Sequence, residues 1–561
     1  MKRFISLAFA LIAFAMPAAA QQPAAGEAAR QDTVIKEAMR TYQQGLSELK
    51  DSFTTTVQPG AANQLRELRL EEAVSLALEK NLDIQVAKLE PQSVDFLVAG
   101  FKNTYLPVLS STVGQRENYQ LPTRTLTGGT RVNQGTLTYN AAIAQTLSRF
   151  GSNYTVQWSN TKVNSSDLLA NYNPLFTTGL LASFTQPLMR GFKLDNTRQQ
   201  LEINLINREM SEESARATVS QTVANVRNAY WDLVFAQNSV EVAQRATELA
   251  DKLVEDNQAR VEVGTLAPLD IVQAQAEAAT RRQNLAAAEA AAQTAELALK
   301  RYLVNGTDDP LWRQTLRPVD LPSLQAPPAD VEGAIRTALA QRTDALNARK
   351  NLDVNDVNIR YYRNQALPDL DLNASYGAQG IGGTFFRREG SGIESKVVGT
   401  IPGGFFDALG VLRNQEYPNW NFSVTMSYPL LGSQADAQLA RARLQRNQSL
   451  TRMRALEVLI AAEVTNAALT IQSNLKRVEA ATAARELAQK RLEAEQSKFD
   501  VGMTTNFFVV QAQRDLRDAF NTELRALADY RKSLVNYERA QQAPAGGGGG
   551  NFGGQQQQQQ Q

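Results

Sequence analysis

The clearest polar–apolar pattern lies near residue 420. There NFSVTMSYP sets Phe422, Val424, Met426 and Tyr428 on one face and Asn421, Ser423, Thr425 and Ser427 on the other. Strict alternation predicts a half-buried strand, because successive side chains leave a strand on opposite sides. GLLASFTQP repeats the pattern more loosely, with Leu180, Ala182 and Phe184 in the apolar positions. TLTYNAAIAQTLSRFGSNYTVQWSNT alternates on both sides of Phe150-Gly151-Ser152-Asn153, which predicts an extra hairpin near residues 136–164. Elsewhere the period changes. Apolar residues three and four apart predict helices over 70–103 and 330–364, each followed by Leu-Pro, which forces the chain out of the helical region. Leu194–Glu262 and Ser433–Asp500 contain neither Gly nor Pro. At 1.5 Å per residue each would reach on the order of 100 Å, far beyond the needs of a globular core. The small residues Ala215, Ala217, Ala224, Ala229, Ala236, Ala243, Ala246 and Ala250 suit a close coiled-coil seam. Ala-rich helices over 269–303 and 507–540 are expected to run back antiparallel.

These segments recur in order. LEEAVSLALEKNLD from Leu70 matches VEGAIRTALAQRTD from Val331 at an offset of 261, which also carries Leu106-Pro107 onto Leu367-Pro368. Pro187-Leu188 and Pro429-Leu430 match at an offset of 242. VEVGTLAPLDIVQAQ (Val261–Gln275) and FDVGMTTNFFVVQAQ (Phe499–Gln513) match at 238. Shrinking offsets put the length differences between the anchors, where loops tolerate them. The chain divides into a leader (1–20), an N-terminal extension (21–64), a first repeat (65–304), a Pro-rich joint (305–329), a second repeat (330–540) and a low-complexity Gly/Gln tail (541–561). Val34, Ile35, Ala38, Met39 and Tyr42 predict a short helix in the extension, and the Gly-rich stretch Gly377–Tyr417 reads as a long loop between strands.

Composition narrows the function. Among 561 residues, 58 basic and 57 acidic side chains nearly cancel, so no charge excess favours nucleic acid. The absence of His and Cys removes the usual metal ligands, the imidazole base, the thiol nucleophile and disulfides, and no cofactor is expected. The scattered carboxylates read as solvated helix faces rather than an enzyme's acid–base pair. MKRFISLAFALIAFAMPAAAQQ has two basic residues, an apolar run too short to span a bilayer, and an Ala-x-Ala site, which together predict a cleaved export signal. The alternating strands alone fit either a soluble antiparallel sheet or a membrane barrel. Export without an uncharged helical span favours the barrel, with Trp158, Tyr172, Trp420 and Tyr428 suited to its interfacial girdles.

The leader, the duplication, strands followed by a very long helix, Pro-Leu at the strand-to-helix junction and Val-Gly at the hairpin tips together resemble the TolC-like outer-membrane efflux proteins. The resemblance covers about Leu65 to Ala540. It implies a mainly α-helical fold with transmembrane β-strands. In that fold three copies each give four strands to a twelve-stranded outer-membrane barrel, continued by a periplasmic α-helical barrel. It also implies a passive channel, a periplasmic adaptor, an inner-membrane pump and outer-membrane lipid as partners, with no nucleic acid. Val263, Gly264, Thr265, Leu266, Val272 and Ala274, with Val501, Gly502, Met503, Thr504, Val510 and Ala512, fall at the periplasmic tips that meet the adaptor. Asp270, Phe507, Phe508 and Gln511 fall at the entrance constriction, and Pro187, Leu188, Pro429 and Leu430 at the strand-to-helix junctions. Where other members carry one basic and two acidic residues after the second tip glycine, this chain has Thr504, Phe508 and Gln511. An apolar constriction around Phe507 and Phe508 is the corresponding expectation. Whether the extra hairpin joins the barrel or lies outside it is open from sequence. The competing reading is a soluble periplasmic helical-hairpin adaptor or scaffold, which would show one hairpin flanked by β-rich segments rather than two matched units.

Overall fold

The computed structural model describes residues 65–120, 131–167, 170–263, 268–320, 330–390 and 396–544. The expected leader, the N-terminal extension with its short helix, and the tail from residue 545 lie outside them. The first repeat runs β1 (Leu65–Leu68), α1 (Leu70–Lys80), α2 (Leu82–Asn103), β2 (Val108–Gln120), β3 (Val132–Thr146), β4 (Asn153–Ser165), β5 (Tyr172–Pro187), α3 (Asn196–Glu262) and α4 (Pro268–Leu303). After α5 (Pro310–Arg313) and β6 (Thr315–Pro318) come α6 (Val331–Gln341), α7 (Thr343–Gln365), β7 (Asp369–Glu389), β8 (Lys396–Ile401), α8 (Phe405–Arg413), β9 (Pro418–Ser427), α9 (Gln434–Asp500) and α10 (Asn506–Ala540). Two units are distinguished. In the small one, Leu65–Arg66 and Gly306–Thr315 among the described residues, Asp309 Oδ1 caps α5 by accepting from Leu311 N at 3.0 Å. All that follows concerns the large unit.

The helices expected over 70–103 and 330–364 are each broken once, at Asn81 and Arg342, whose backbones are extended (ψ 127° and 130°). The reason is a distant partner. Asn81 Oδ1 accepts from Ile84 N (3.1 Å) while its Nδ2 donates to Tyr302 O (3.1 Å) at the end of α4. Arg342, 1% exposed, donates to Ala540 O (3.1 Å) at the end of α10, to Glu463 (2.6 Å) and to Asp344 (3.0 Å). Asn81 and Arg342 are 261 positions apart, and Tyr302 and Ala540 are 238 apart. The duplication therefore holds in three dimensions, with each break tying a short helix pair to the last turn of a returning helix.

α3 and α9, 67 residues each, carry the helical layer. Its order is α4–α3–α10–α9, with α1 and α2 on α3, α6 on α9, and α7 against both α3 and α9. The eight seam alanines of α3 are all buried or half-buried. α9 includes a stretch apolar enough to cross a membrane. Its Ile460 and Val464 instead pack in a cluster with Ala334, Ala338, Ala345 and Ala540.

The sheet is antiparallel in the order β2–β3–β4–β5–β7, with β8 and β9 both on the far edge of β7. The resemblance implies four strands per copy. Seven are described: the extra hairpin, β3–β4, is hydrogen-bonded into the ladder between β2 and β5 and adds two, and β8 on the edge of β7 is the third addition. Gly377–Tyr417 is also not the loop expected from its glycines. β7 runs on to Glu389, β8 pairs with its end, and α8 lies on the sheet. A methyl group on Gly380 would sit 2.8 Å from Leu412 N and closer still to the Ala408 carbonyl, so these glycines make room for a helix. Phe405 of α8 meets Tyr139 (5.6 Å between centroids) and Phe176 (6.4 Å) edge-on.

Candidate channel wall and entrance

The ladder registers put one mainly apolar face across β3, β4, β5, β7 and β9. Ile143 pairs with Val156, Trp158 with Leu180, Ala182 with Tyr376, and Tyr376 with Trp420. The opposite face carries Thr155 with Ser183, Gln157 with Leu181, Thr185 with Asn373, and Asp371 with Thr425. An apolar outer face and a polar inner one are what a wall between lipid and a water-filled lumen requires. A polar cluster interrupts the apolar face. Trp158 Nε1 donates to Thr178 Oγ1 (3.0 Å), which donates to Asn160 Oδ1 (2.7 Å), and Asn160 Nδ2 donates to Tyr139 O (3.0 Å). Thr178 pairs with Gly380, and Asn160 and Thr178 are buried where α8 covers the sheet.

Both junctions fall between a strand and a long helix. Pro187 ends β5 with Leu188 N donating to Leu370 O (2.8 Å), and Pro429-Leu430 lies exposed between β9 and α9.

At the other end of the long helices, Gly502 takes φ +76°, with Gly502 N bonded to Phe499 O (3.0 Å) and Met503 N to Lys498 O (2.8 Å). That is a Schellman motif, and glycine at C′ adopts the left-handed region without a Cβ penalty. Gly264, Thr265 and Leu266 lie outside the described residues. Val263, Val272, Val501 and Met503 are exposed, and Thr504 and Val510 are half-buried. Ala274 and Ala512, expected among the contact residues, are buried inside the chain; their small side chains let helices close, and they offer no surface to a partner. Asp270 is half-buried in the first turn of α4. Phe507 and Phe508 are exposed and meet edge-on, 5.6 Å apart, while Gln511 Nε2 donates to Asp515 Oδ1 (2.9 Å).

The two tips are clasped together by residues that pattern reading passed over. Arg260 of α3 pairs with Asp500 of α9 (3.4 Å), and its guanidinium lies over the Phe499 ring (4.5 Å). Further up, Glu277 of α4, 6% exposed, accepts from Arg281 on its own helix and from Arg514 of α10. Burial alone would raise the Glu277 carboxyl, but the bond from Arg514 and the charges of both arginines outweigh it and hold it below the usual carboxylate range. The i,i+4 spacing of Glu277 and Arg281 on an Ala-rich helix was the available signal; the partner 237 positions away was not.

A wall, a long helical layer and clasped tips fit a conduit, and the family comparison decides which. The model for outer membrane efflux proteins matches residues 130–305 and 334–540. The chain belongs to this family. No curated protein matches the sequence. Solved channels share its fold: CusC (17% identity, 88% of this chain and 96% of that one, TM-score 0.60), CmeC of Campylobacter jejuni (16%, 84% and 85%, 0.58) and VceC of Vibrio cholerae (15%, 84% and 95%, 0.58). As an outer membrane efflux protein it is a passive outer-membrane channel of a tripartite efflux system, reaching into the periplasm, and not an enzyme. Family members generally work with a periplasmic adaptor and an inner-membrane pump. The match spans both repeats and leaves the soluble-adaptor reading without support.

Proposed function

We propose that this efflux protein acts as a homotrimer whose sheets close one barrel in outer-membrane lipid and whose helices close one tunnel. The observation that carries this is that wall and tunnel are both open at matching edges. Among the described residues β2 and β9 have no outer partner, and an unpaired strand edge is untenable in lipid. The helical layer likewise ends in α4 and α9, where Leu297, Val458, Leu459 and Leu487 are exposed. β2 leads away from the helices and β9 back toward them, so β9 of one copy meets β2 of the next antiparallel. The number three comes from the family resemblance. The repeats 65–304 and 330–540 are the units that supply the two hairpins. Their exposed tips, Val263, Val272, Val501 and Met503 with the neighbouring Gly264, Thr265, Leu266, Gly502, Thr504 and Val510, dock the adaptor. Phe507 and Phe508, with Asp270 and Gln511, narrow the entrance, which excludes water more than it selects charge.

Native mass spectrometry of the detergent-extracted protein should give three copies; a monomer would sink the reading. Replacing Phe507 and Phe508 together by Ser should raise closed-state conductance in planar bilayers, and unchanged conductance would retire the apolar constriction.

A further inference from the structure

The hairpin β3–β4 is built like wall, not like an appendage. Its strands are 15 and 13 residues long, against 13 for β2 and 16 for β5, and about 9–11 suffice to span a bilayer. Its registers with β2 and β5 are continuous, and Tyr139, Ala141 and Ile143 of β3 and Tyr154, Val156 and Trp158 of β4 continue the apolar face. Thr138, Asn140, Thr155 and Gln157 continue the polar one. The β3–β4 turn is fastened to the base of α3. Phe150 stacks on Phe192 (4.9 Å), Ser152 Oγ donates to Gln186 Oε1 (2.5 Å), and Gln186 Nε2 donates to Phe150 O (3.1 Å). A methyl group on Gly151 (φ +67°) would lie 2.8 Å from Arg198 and 2.9 Å from the Gly191 carbonyl, so the turn sits hard against the junction.

Direction along the wall alternates from β2 through β3, β4, β5 and β7. β8 and β9, interrupted by α8, together make one returning line along the edge of β7. Each copy thus supplies six wall lines, an even number that closes a ring without a parallel seam. We propose that β3–β4 lies in the membrane wall, so that three copies of six lines form an eighteen-stranded barrel, resting on the trimer proposed above. Barrel diameter grows roughly linearly with strand number, so the outlet is about half again as wide as a twelve-stranded one. The long helices remain four per copy, two from each repeat. The tip entrance is then the narrow point of the path, and the outlet passes solutes too bulky for the twelve-stranded ring.

The chain has no cysteine, so single cysteines report cleanly. In the full-length trimer in lipid, fluorophores on Val156→Cys and Trp158→Cys should be quenched by brominated lipid. Thr155→Cys and Gln157→Cys should instead react with a charged, water-soluble thiol reagent and lower the single-channel current. A cryo-electron-microscopy map of the same protein in nanodiscs should count eighteen strands. Water reactivity at all four positions with unchanged current, or twelve strands with β3–β4 outside the ring, would overturn the proposal while leaving the trimer standing. Six lines per copy in a ring of other than three copies would overturn the trimer and with it the count of eighteen.

Discussion

The two strand-to-helix junctions were expected to be alike, and they are not. In the first, Gly191 N donates to Asn364 Oδ1 (2.8 Å), Arg190 pairs with Asp369, Arg198 holds Asp195 (2.9 Å) and the Phe192 carbonyl (3.0 Å), and the β3–β4 turn docks on top. In the second, Leu430 and Leu431 are fully open to solvent, and the local fastening is Ser433, which caps α9 through Asp436 N (3.0 Å). The first junction completes its contacts inside the chain and also anchors the added hairpin. The second leaves two leucines uncovered at the end of β9, the edge strand, so whatever covers them comes from outside the described residues.

The largest test of this asymmetry sits at the helix breaks, where the repeats use different side chains for one task. Arg342→Ala leaves Glu463 to the more distant Arg539 (3.9 Å) and frees the end of α10. Removing one partner of a buried ion pair costs 3–5 kcal/mol, and partial exposure of Glu463 and Asp344 puts the expected loss at about 3 kcal/mol. Asn81→Ala removes a cap and one carbonyl bond and should cost about 1 kcal/mol. Denaturant unfolding followed by circular dichroism separates the two, and equal losses would show that the breaks are interchangeable.

Next is the covered sheet. Gly380→Val forces α8 off β7 and should destabilise that region by about 1–3 kcal/mol, opening residues 402–417 to protease. Gly399→Val meets nothing within 4 Å and is the control. Unchanged protection in Gly380→Val would mean that α8 does not depend on the close approach. Smaller still is Leu431→Ser. If a neighbouring copy covers this leucine, the change should weaken the trimer by about 1–2 kcal/mol per copy, seen as a lower dissociation temperature in detergent. An unaltered trimer would point to lipid as the cover.

What sequence could and could not reveal follows from the range of each cause. The long helices begin and end within two residues of expectation, because seam periodicity and the glycine at 502 are local signals. The breaks were invisible because Asn81 and Arg342 answer carbonyls 221 and 198 positions away. The Gly-rich stretch misled for a related reason: glycine reads as loop locally, but here it serves a helix that returns to the same strand some thirty residues later. At the entrance, Gly502 and the two phenylalanines were legible, whereas the clasp through Glu277 was not, since neither repeat alone contains it.

That clasp gives the smallest and most specific effect. Glu277 holds Arg514 only while ionised, and its carboxyl is already kept below the usual range by that partner. A group whose folded value is depressed contributes stability above its unfolded value and loses it as pH falls through the folded one. The clasp therefore persists from neutral pH down through about 4.3, the ordinary glutamate value, and fails only in stronger acid. Closed-state conductance should stay flat from neutral pH down through the ordinary glutamate range and rise only in stronger acid. Glu277→Gln, which keeps the shape but not the charge, should give the raised value at all pH and abolish the step. A step that survives in Glu277→Gln would show that the clasp does not set the closed state. Repeating the titration at high ionic strength sharpens the test, because Glu277 itself is buried and its bonds to Arg281 and Arg514 should respond to salt less than an exposed ion pair would.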